Sequence, residues 1–503
     1  QIRPARLIPV TRIEFPITLG IASVLGGSGT CSPPINAADW PQLQGNPAHT
    51  GYTADEPKPP YRVTWFRDLE EPTQSAAQPI VAGDNLFVGT GHGNLHALSR
   101  ADGKTLWTYR TAAPIFGTPA WAAGVVYVNS LDCCCHAVRD ADGSPLWTFE
   151  TAAPLWAAPV VADGKVFVAG RDGFVYALDA RTGAELWRSP VPSLVMCTPA
   201  WSDETLYVGV GDMRVYALEG DTGRRLWQSE QLPGSAIREY WIVAAHGAVI
   251  AAVEHALSFR THWREIQRAV MDPFIEAHKN DPVLVEDDVF PMLARRFEEH
   301  PEEQSIFVLD ARTGRQKFIV PLVPVEGGGC TAIPPAVDPQ GWAYFVYANI
   351  HLSASGNAFF GRLSLETGQM EPLLKDRFAG PAELLGFPGH KFRPGLDWPR
   401  GKGDFYCGFS VIDQSWAVSV GGQIAFPVRD PSWPFEAPFH NWHHVGTGEG
   451  GYVAGDLMDQ RRLGGKGIFG GGYHSTCSPV AIAGRQLFHK SPRSVVFAFE
   501  GRE

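Results

Sequence analysis

The sequence predicts an all-β protein: a β-propeller of eight blades, with seven as the fallback count, in which each blade is a four-stranded antiparallel sheet. Two observations support this prediction. Tryptophans recur every 40 residues, and a glycine precedes each of them by four positions. A fixed period of this length in a β-rich sequence is typical of propellers. The tryptophans are Trp107, Trp147, Trp187 and Trp227, and the glycines are Gly103, Gly143, Gly183 and Gly223.

Each repeat contains four strand signals separated by turns. A Pro-led apolar segment precedes a β-branched and aromatic run, an alternating run such as Phe174-Val-Tyr-Ala-Leu178, and a last segment that opens at Leu-Trp. The glycine lies where a hairpin turn requires a positive φ, which glycine adopts without penalty. We expect the tryptophan to pack between adjacent blades, so that its truncation costs about 3–5 kcal/mol.

The repeat continues toward the C-terminus with weaker similarity. Further units run from Tyr240 to Gly314, from Pro335 to Gly368, from Phe409 to Val428 and from Ser478 to Phe499. The segment Arg62-Val-Thr-Trp-Phe-Arg-Asp-Leu69 is predicted to be a final strand that lies before the first full unit. It would complete the eighth sheet and close the ring, which removes an exposed sheet edge.

Residues 1–38 form an N-terminal arm that departs from the repeat. Three arginines precede the apolar run Pro16–Leu25 and a Gly-rich segment ending at Cys31, a layout that resembles a secretory signal with a lipid-acceptor cysteine. Because the chain begins at Gln1, a processed chain with an ordered arm is the favoured interpretation. Such an arm either packs on its own propeller or is donated to a neighbouring subunit.

Residues 254–303 form an acidic insertion within the fifth unit. It carries 12 acidic residues against 6 Lys and Arg, in a chain of net charge −11. The segment from Asp288 to Phe297 indicates one helix, and four apolar residues at helical spacing indicate another. These four are Phe259, Trp263, Ile266 and Val270. A solvated helical appendage is the favoured interpretation, with a lid over the channel or a docking surface as alternatives.

Residues 380–476 are rich in glycine, aromatic residues and histidine, and are predicted to form long loops at one rim of the propeller. Neutral imidazoles are the commonest metal ligands, so four histidines here are candidates for a metal site. They are His440, His443, His444 and His474. The alternative is a set of surface or interface histidines, because their spacing matches no specific metal signature.

The repeats resemble the pyrroloquinoline-quinone-like (PQQ-like) propeller repeat family, which is shared by quinoprotein alcohol dehydrogenases and by the envelope lipoprotein of outer-membrane barrel assembly. The resemblance rests on Val175-Tyr-Ala-Leu-Asp-Ala-Arg-Thr-Gly-Ala-Glu-Leu-Trp187 and on the lead-in Asp39-Trp-Pro-Gln-Leu-Gln-Gly-Asn-Pro-Ala-His-Thr-Gly51. It covers residues 39–230 well and the remainder loosely. The resemblance implies a propeller, and since many such proteins are scaffolds, it does not by itself imply a quinone.

A quinoprotein dehydrogenase, as the resemblance implies, would require a tryptophan floor under the quinone, a Ca²⁺ held by acidic and amide side chains, and an aspartate base. Asp132, Asp172 and Asp212 recur at blade turns, and their repetition favours a role in the turns. The sequence contains no nucleophile elbow, phosphate loop, dinucleotide fingerprint or His-Glu-x-x-His motif. We therefore expect no cofactor, with PQQ and calcium kept for the dehydrogenase alternative.

Three cysteines stand in a row at positions 133, 134 and 135. In the related dehydrogenases a vicinal disulfide lies beside the quinone, but this run falls at a blade turn and the start of a strand. Aligned on the tryptophans, Cys133 takes the place of Gly173, and His136 takes the place of Tyr176. Cys135 is interpreted as a small buried apolar residue, and His136 as a repeat position rather than a ligand.

Two further cysteines, Cys197 and Cys477, immediately precede the first strands of the fourth and eighth units. They are predicted to face each other across the channel, too far apart to bond. Cys330 and Cys407 have no partner assigned by the sequence.

The composition limits which classes of binding partner the protein can have. The net charge of −11 argues against nucleic acid and anionic membrane surfaces, and no stretch approaches the ~20 apolar residues of a membrane-spanning helix. The sequence favours a non-enzymatic scaffold that contacts proteins, including copies of itself through residues 1–38, in the periplasm, outer envelope or exterior of a prokaryote. The alternatives are a PQQ- and calcium-dependent dehydrogenase and a ligand- or metal-binding module at the His-rich rim.

Overall fold

The computed structural model describes residues 39–55, 58–74, 76–254, 289–323, 334–348, 358–372, 406–412, 416–424, 437–444, 450–452, 480–490 and 494–502, together with four isolated positions between 266 and 273. All of them lie in one compact unit, Ile35–Glu503. The N-terminal arm predicted for residues 1–38 lies outside the described residues.

Eight sheets form the blades, seven with four strands and one, blade 7, with a fifth strand added. The N-terminal strands are β1 (Tyr52–Thr53) and β2 (Lys58–Asp68). Blade 1 contains β3 (Ile80–Ala82), β4 (Asn85–Gly89), β5 (Asn94–Ser99) and β6 (Thr105–Arg110). Blade 2 contains β7 (Ala120–Ala122), β8 (Val125–Asn129), β9 (Cys134–Arg139) and β10 (Pro145–Glu150). Blade 3 contains β11 (Val160–Ala162), β12 (Lys165–Ala169), β13 (Phe174–Asp179) and β14 (Glu185–Pro190).

Blades 4 and 5 are preceded by short crossover strands, β15 (Met196–Thr198) and β20 (Arg238–Trp241), which pair with each other. Blade 4 contains β16 (Ala200–Ser202), β17 (Thr205–Val210), β18 (Arg214–Glu219) and β19 (Arg225–Gln228). Blade 5 contains β21 (Val243–Ala245), β22 (Ala248–Ala252), β23 (Ile306–Asp310) and β24 (Gln316–Ile319). Blade 6 contains β25 (Ala336–Val337), β26 (Trp342–Ala348), β27 (Ala358–Ser364) and β28 (Met370–Pro372).

Blade 7 contains β29 (Tyr406–Ile412), β30 (Trp416–Ile424), β31 (Ala437–His444) and β32 (Gly450–Tyr452), with β1 added in parallel to β29. Residues 380–476, which the sequence predicts to be rim loops, thus contain the seventh blade. The repeat pattern missed β31 and β32 because blade 7 has no Gly-x-x-Leu-Trp phrase to mark its outer strand.

Blade 8 combines both ends of the propeller. It contains β33 (Ala481–Ala483), β34 (Gln486–Lys490), β35 (Val495–Arg502) and, antiparallel to β35, the N-terminal strand β2. Trp65 pairs with Ala498 in this sheet. The prediction that residues 62–69 complete the eighth sheet is confirmed, as is the count of eight blades, so the fallback count of seven is wrong.

The repeated tryptophans join neighbouring blades. Each indole Nε1–H donates to a backbone carbonyl of the next blade, and each ring lies on the glycine turn there; the Trp107 indole is 2.9 Å from the Asp140 oxygen. A Cβ added to Gly143 would lie 2.6 Å from the Trp107 ring. The φ angles are 69° for Gly103, 73° for Gly143, 72° for Gly183 and 69° for Gly223. Trp65 on Gly103 and Trp227 on Gly314 extend this series to both sides.

The acidic insertion contributes a helix to the rim of blade 5. Helix α1 (Val289–Glu299) packs against the outermost strand β24, and Phe290 joins a hydrophobic cluster with residues of blades 5 and 6. The Arg296 guanidinium makes a two-pronged ion pair with Glu303, with distances of 2.9 and 2.5 Å. One face of this helix is therefore buried on the propeller. No described helix is long and apolar enough to cross a membrane.

Candidate functional site at the central channel

The first strand of each blade presents its inner edge to the channel, and residues 39–55 run along these edges. We call this segment the inner circuit. At blade 1, the backbone of Trp40 exchanges two hydrogen bonds of 2.9 Å with Val81. At blade 2, the Trp121 N–H donates to the Pro41 oxygen at 2.7 Å. At blade 3, the Gln42 side chain both donates to and accepts from the backbone of Val161, each at 3.2 Å.

The inner circuit continues past the remaining blades in the same order. At blade 4 the Trp201 N–H donates to Pro47, at blade 5 the Ala244 N–H donates to Ala48, and at blade 6 the Val337 N–H donates to Thr50. These three bonds measure 2.8, 3.0 and 2.7 Å. At blade 7 the segment becomes β1 and pairs with β29. One short segment thus satisfies polar backbone groups at the inner edges of successive blades.

The two ends of the inner circuit meet at the junction of blades 1 and 8. The Asp39 carboxylate accepts the N–H of Gly83 in a turn of blade 1 at 2.8 Å, and the Asp55 carboxylate accepts the N–H of Gly484 in a turn of blade 8 at 2.6 Å. Arg100 donates to carbonyls of both turns, at 3.2 Å in blade 1 and 2.6 Å in blade 8. The circuit therefore makes one complete turn around the channel.

Local sequence explains why this segment curves. A 3₁₀ turn at Leu43–Gly45 is followed by Asn46, whose side-chain oxygen accepts the backbone N–H groups of Ala48 and Thr50 at 3.1 and 3.2 Å. Such Asx bonds stabilise turns. The backbone has positive φ at four positions, two of which are not glycine. The positions and angles are Gln44 (54°), Gly45 (79°), His49 (59°) and Gly51 (65°).

His49 is the one titratable residue in the middle of the circuit, and it is fully buried. Its ring Nδ1 lies 2.9 Å from the Ile242 carbonyl oxygen. Burial lowers the pKa of His49 to about 4, although the bond to the carbonyl acts in the opposite direction. The ring is therefore neutral at pH 7 and donates its Nδ1–H to the carbonyl.

A small cleft, partly open to solvent, lies between the inner circuit and the segments that cross from one blade to the next. Phe116 and Trp156 line it and meet edge to face, with ring centres 4.7 Å apart. Trp241 also lines the cleft, and its buried indole Nε1 has no hydrogen-bond partner among the described residues. The cleft is thus aromatic on several sides.

The described lining of this cleft does not fit a quinone held with calcium. It contains no carboxylate, lysine or arginine among the residues that the structure describes. Its two threonine hydroxyls already accept backbone N–H groups: Thr118 from Gln78 at 2.9 Å and Thr198 from Ala158 at 3.1 Å. The buried ammonium of Lys490 lies beside the cleft but donates to the Thr73 hydroxyl and the Gln74 carbonyl. Calcium requires several oxygen ligands, which this set does not offer.

The structure places the other predicted site residues as follows. His440, His443 and His444 belong to β31 of blade 7, paired with β30, and their side chains lie outside the described part of the chain. His474 lies outside it altogether, as do Cys330 and Cys477. The metal site proposed for these histidines therefore stays a prediction.

The repeated aspartates belong to the turns, as the sequence indicates. Asp172 accepts the Phe174 backbone N–H at 3.1 Å and the Tyr176 hydroxyl at 2.8 Å, and the Tyr216 hydroxyl donates to Asp212 at 2.6 Å. The aspartate therefore closes the turn between the second and third strands and anchors an aromatic side chain of the third.

The comparison with known families agrees with this geometry. A family model described as outer membrane protein assembly factor BamB matches residues 62–155 and 134–262, the region of the regular tryptophan–glycine contacts. These are PQQ-like propeller repeats. No curated protein matches the sequence.

Solved structures share the fold of these PQQ-like repeats at low sequence identity. A europium-containing methanol dehydrogenase is similar with a TM-score of 0.57 and 12% identity, over 92% of this chain and 98% of that one. A quinohemoprotein alcohol dehydrogenase from Comamonas testosteroni gives 0.54 and 14%, over 93% and 81%. The computationally designed Ika8 protein gives 0.53 and 12%, over 87% and 99%. At these identities the similarity shows the fold alone.

Proposed function

We propose that the protein is a non-enzymatic propeller that acts as a scaffold for protein contacts in the periplasm, outer envelope or exterior of a prokaryotic cell. The observation that carries this proposal is the inner circuit, because the chain's own backbone occupies the inner edges of the blades around the channel. A scaffold works through its outer surfaces and needs no open channel.

The outer rim offers apolar contact points. Phe66 and the leucine that precedes each repeated tryptophan are exposed by 40–51% on the outermost strands of consecutive blades. Exposed apolar groups on a surface favour contacts with other proteins when they are numerous. The leucines are Leu106, Leu146, Leu186 and Leu226. The description of the matching family, an outer membrane protein assembly factor, supports an envelope setting for these contacts.

Residues 1–38 are the proposed connector between subunits. The test compares the molar mass in solution of the intact chain with that of residues 39–503, which retain both β2 and the inner circuit. Self-assembly through the arm predicts large species for the intact chain and a folded monomer for the shortened one. If both chains are monomers, self-assembly is refuted. If both form oligomers of the same subunit number, the contact lies on the propeller surface and not in residues 1–38.

The sequence resemblance leaves one alternative, a PQQ-dependent dehydrogenase, although the described lining of the aromatic cleft does not fit a quinone held with calcium. This alternative predicts that protein reconstituted with PQQ and Ca²⁺ reduces an electron-accepting dye with an alcohol or a sugar. Quenching of tryptophan fluorescence by PQQ gives a second readout that does not depend on turnover. Dye reduction would refute the non-enzymatic proposal, and no quenching would refute the quinone alternative.

A further inference from the structure

Three different metal-ligating side chains meet at the turn between β8 and β9 of blade 2. They are Asp132, Cys134 and His136, and their ligand atoms all lie within 4.8 Å of one another. The His136 Nε2 is 3.2 Å from one carboxylate oxygen of Asp132 and 3.3 Å from the other. Asp132 and Cys134 are partly exposed, whereas the His136 ring is almost fully buried. An oxygen, a sulfur and a nitrogen donor therefore converge where an ion can enter from solvent.

The groups around this cluster orient its ligands. The His136 Nδ1 is 3.0 Å from the hydroxyl of Tyr109, which reaches across from blade 1. Asp132 is held by the backbone N–H groups of Ala112 and Cys134, both at 3.0 Å. A histidine that binds a metal usually donates its other ring N–H to such a partner, which fixes the tautomer. Without a metal the His136 Nε2–H donates to the Asp132 carboxylate; in the other tautomer, with Nδ1–H donating to the Tyr109 hydroxyl, the Nε2 lone pair is free to bind a metal.

The neighbouring blades show that a turn of this kind does not need these ligands. Blade 3 has the same aspartate at Asp172, but with Phe174 and Tyr176 in the places of Cys134 and His136. There the tyrosine hydroxyl donates to the carboxylate at 2.8 Å and completes a turn without a sulfur or nitrogen ligand. Blade 2 thus keeps the aspartate that the turn requires and replaces both other positions with metal-ligating residues.

The electrostatic surroundings favour a cation. The carboxylates of Asp132 and Glu150 both lie near the Cys134 sulfur. A divalent cation bound here would be stabilised by these charges, and coordination deprotonates the thiol.

We propose that blade 2 carries a zinc-type divalent metal site formed by the Asp132 carboxylate, the Cys134 sulfur and the His136 Nε2, with the fourth coordination position open to solvent. This mixed oxygen, sulfur and nitrogen set suits Zn²⁺, which accepts all three ligand types in tetrahedral geometry. Binding releases the thiol proton of Cys134 to solvent, and the His136 proton shifts from Nε2 to Nδ1, where the N–H donates to the Tyr109 hydroxyl oxygen.

The test uses the full chain, kept reduced, with Co²⁺ as a spectroscopic probe and Zn²⁺ as competitor. We expect one Co²⁺ per chain that shows a thiolate-to-cobalt charge-transfer band and is displaced by Zn²⁺. The band should be lost in Cys134→Ser and kept in Cys133→Ser, the matched control at the adjacent thiol, which lies outside the cluster. The absence of the band in the parent protein, or its loss in the control instead, would refute the site.

A second variant separates loss of the metal from loss of the fold. Cys134→Phe with His136→Tyr installs in blade 2 the residues that blade 3 carries, so its turn can close by an aspartate–tyrosine hydrogen bond. This variant should unfold like the parent without metal and show no charge-transfer band. The histidines of residues 437–474 are intact in it, so an unchanged band and affinity would place the metal elsewhere.

Tyr109 is a positioning residue for this site. Tyr109→Phe keeps the ring against His136 but removes the hydroxyl, and it should weaken Zn²⁺ binding by roughly 10-fold while the charge-transfer band persists. An unchanged Zn²⁺ affinity would show that the Tyr109 hydroxyl does not position the ligands of this site.

Discussion

Two sets of contacts join the blades of this propeller, one at the outer rim and one at the channel. At the rim, each tryptophan lies on the glycine turn of the next blade, so the contact repeats with the sequence. At the channel, the inner circuit passes from blade to blade, and each blade receives a different residue of it. The rim contacts therefore link nearest neighbours, whereas the inner circuit links the ring as a whole.

The difference shows how a repeat protein becomes a closed one. Interactions between neighbouring repeats are enough for an open array, whose stability is a sum of similar terms. A ring has in addition one closure, here the pairing of β2 with β35 in blade 8, and non-repeating residues stabilise the adjacent junction between blades 1 and 8. Asp39, Asp55 and Arg100 all act at that junction.

The largest expected effect tests the rim. Trp187→Ala removes a nearly buried ring that packs on Gly223 and bonds to the Gly220 carbonyl at 2.9 Å. We expect the free energy of unfolding to fall by about 3–5 kcal/mol. Leu186→Ala, at the exposed neighbouring position, should change it by less than ~0.5 kcal/mol. Denaturant unfolding measures both, and equal effects would contradict the role of the tryptophan.

A pair of glycine substitutions sharpens the same contact. Gly183 and Gly164 have nearly the same φ, 72° and 71°, but a Cβ would lie 2.6 Å from the Trp147 ring at Gly183 and would meet nothing within 4 Å at Gly164. Both changes to alanine carry a strain of about 1 kcal/mol. Gly183→Ala should cost a further ~1–3 kcal/mol, because the ring must move. Thermal unfolding of the two variants separates these effects. Similar losses of stability would mean that the Trp147 ring shifts at little cost to make room for the added Cβ.

The pH dependence of stability tests the inner circuit at His49. Its folded pKa of about 4 lies below the ordinary histidine pKa of 6.5, so the unfolded chain binds the proton first as the pH falls. Stability from this group is complete above pH ~6.5 and is lost as the pH falls from there toward 4, by about 2 kcal/mol at pH 5.

The comparison uses His49→Asn, because asparagine tolerates the positive φ of this position. Urea unfolding at pH 7 and pH 5 should show a steeper loss in the parent than in the variant, since carboxylates that titrate in both proteins cancel. If the free energy of unfolding falls equally in the parent and the variant between pH 7 and pH 5, His49 is not buried as a neutral ring.

The most local test concerns a single link of the circuit. Gln42→Ala removes both side-chain bonds to the backbone of Val161 and leaves its buried N–H and C=O unpaired. We expect a loss of about 1–3 kcal/mol. Gln228→Ala on an outer strand serves as the control, because there the amide oxygen accepts a 2.9 Å hydrogen bond from the exposed Arg225 side chain. If both variants lose the same free energy of unfolding, the contact of the inner circuit with blade 3 does not stabilise the propeller.

The rim contacts could be predicted from the sequence because they use a distinctive side chain at a fixed period. The closing strand at residues 62–69 was also predictable, since it carries a tryptophan outside the series. The path of the inner circuit was not predictable, because most of its bonds join backbone atoms and leave no mark on residue type. Gln42 and Asn46 are the side chains that could have signalled it.

The cluster in blade 2 was missed for a different reason. Alignment on the repeat places His136 in a tyrosine position, which favours a structural interpretation. The missing signal was the alternation of a strand, which brings every second side chain to one face. Asp132, Cys134 and His136 are spaced by two residues each and so fall on the same side.

The position of β2 also has a consequence for synthesis of the protein. Trp65 belongs to the same sheet as Ala498, so the first blade strand emerges from the ribosome long before its partner exists. Until then its edge is unpaired and can pair with other chains. Contacts between such distant residues also form slowly. The growing chain must therefore be shielded at its beginning until its last strand has been made, and a chain cut short in blade 8 could not close at all.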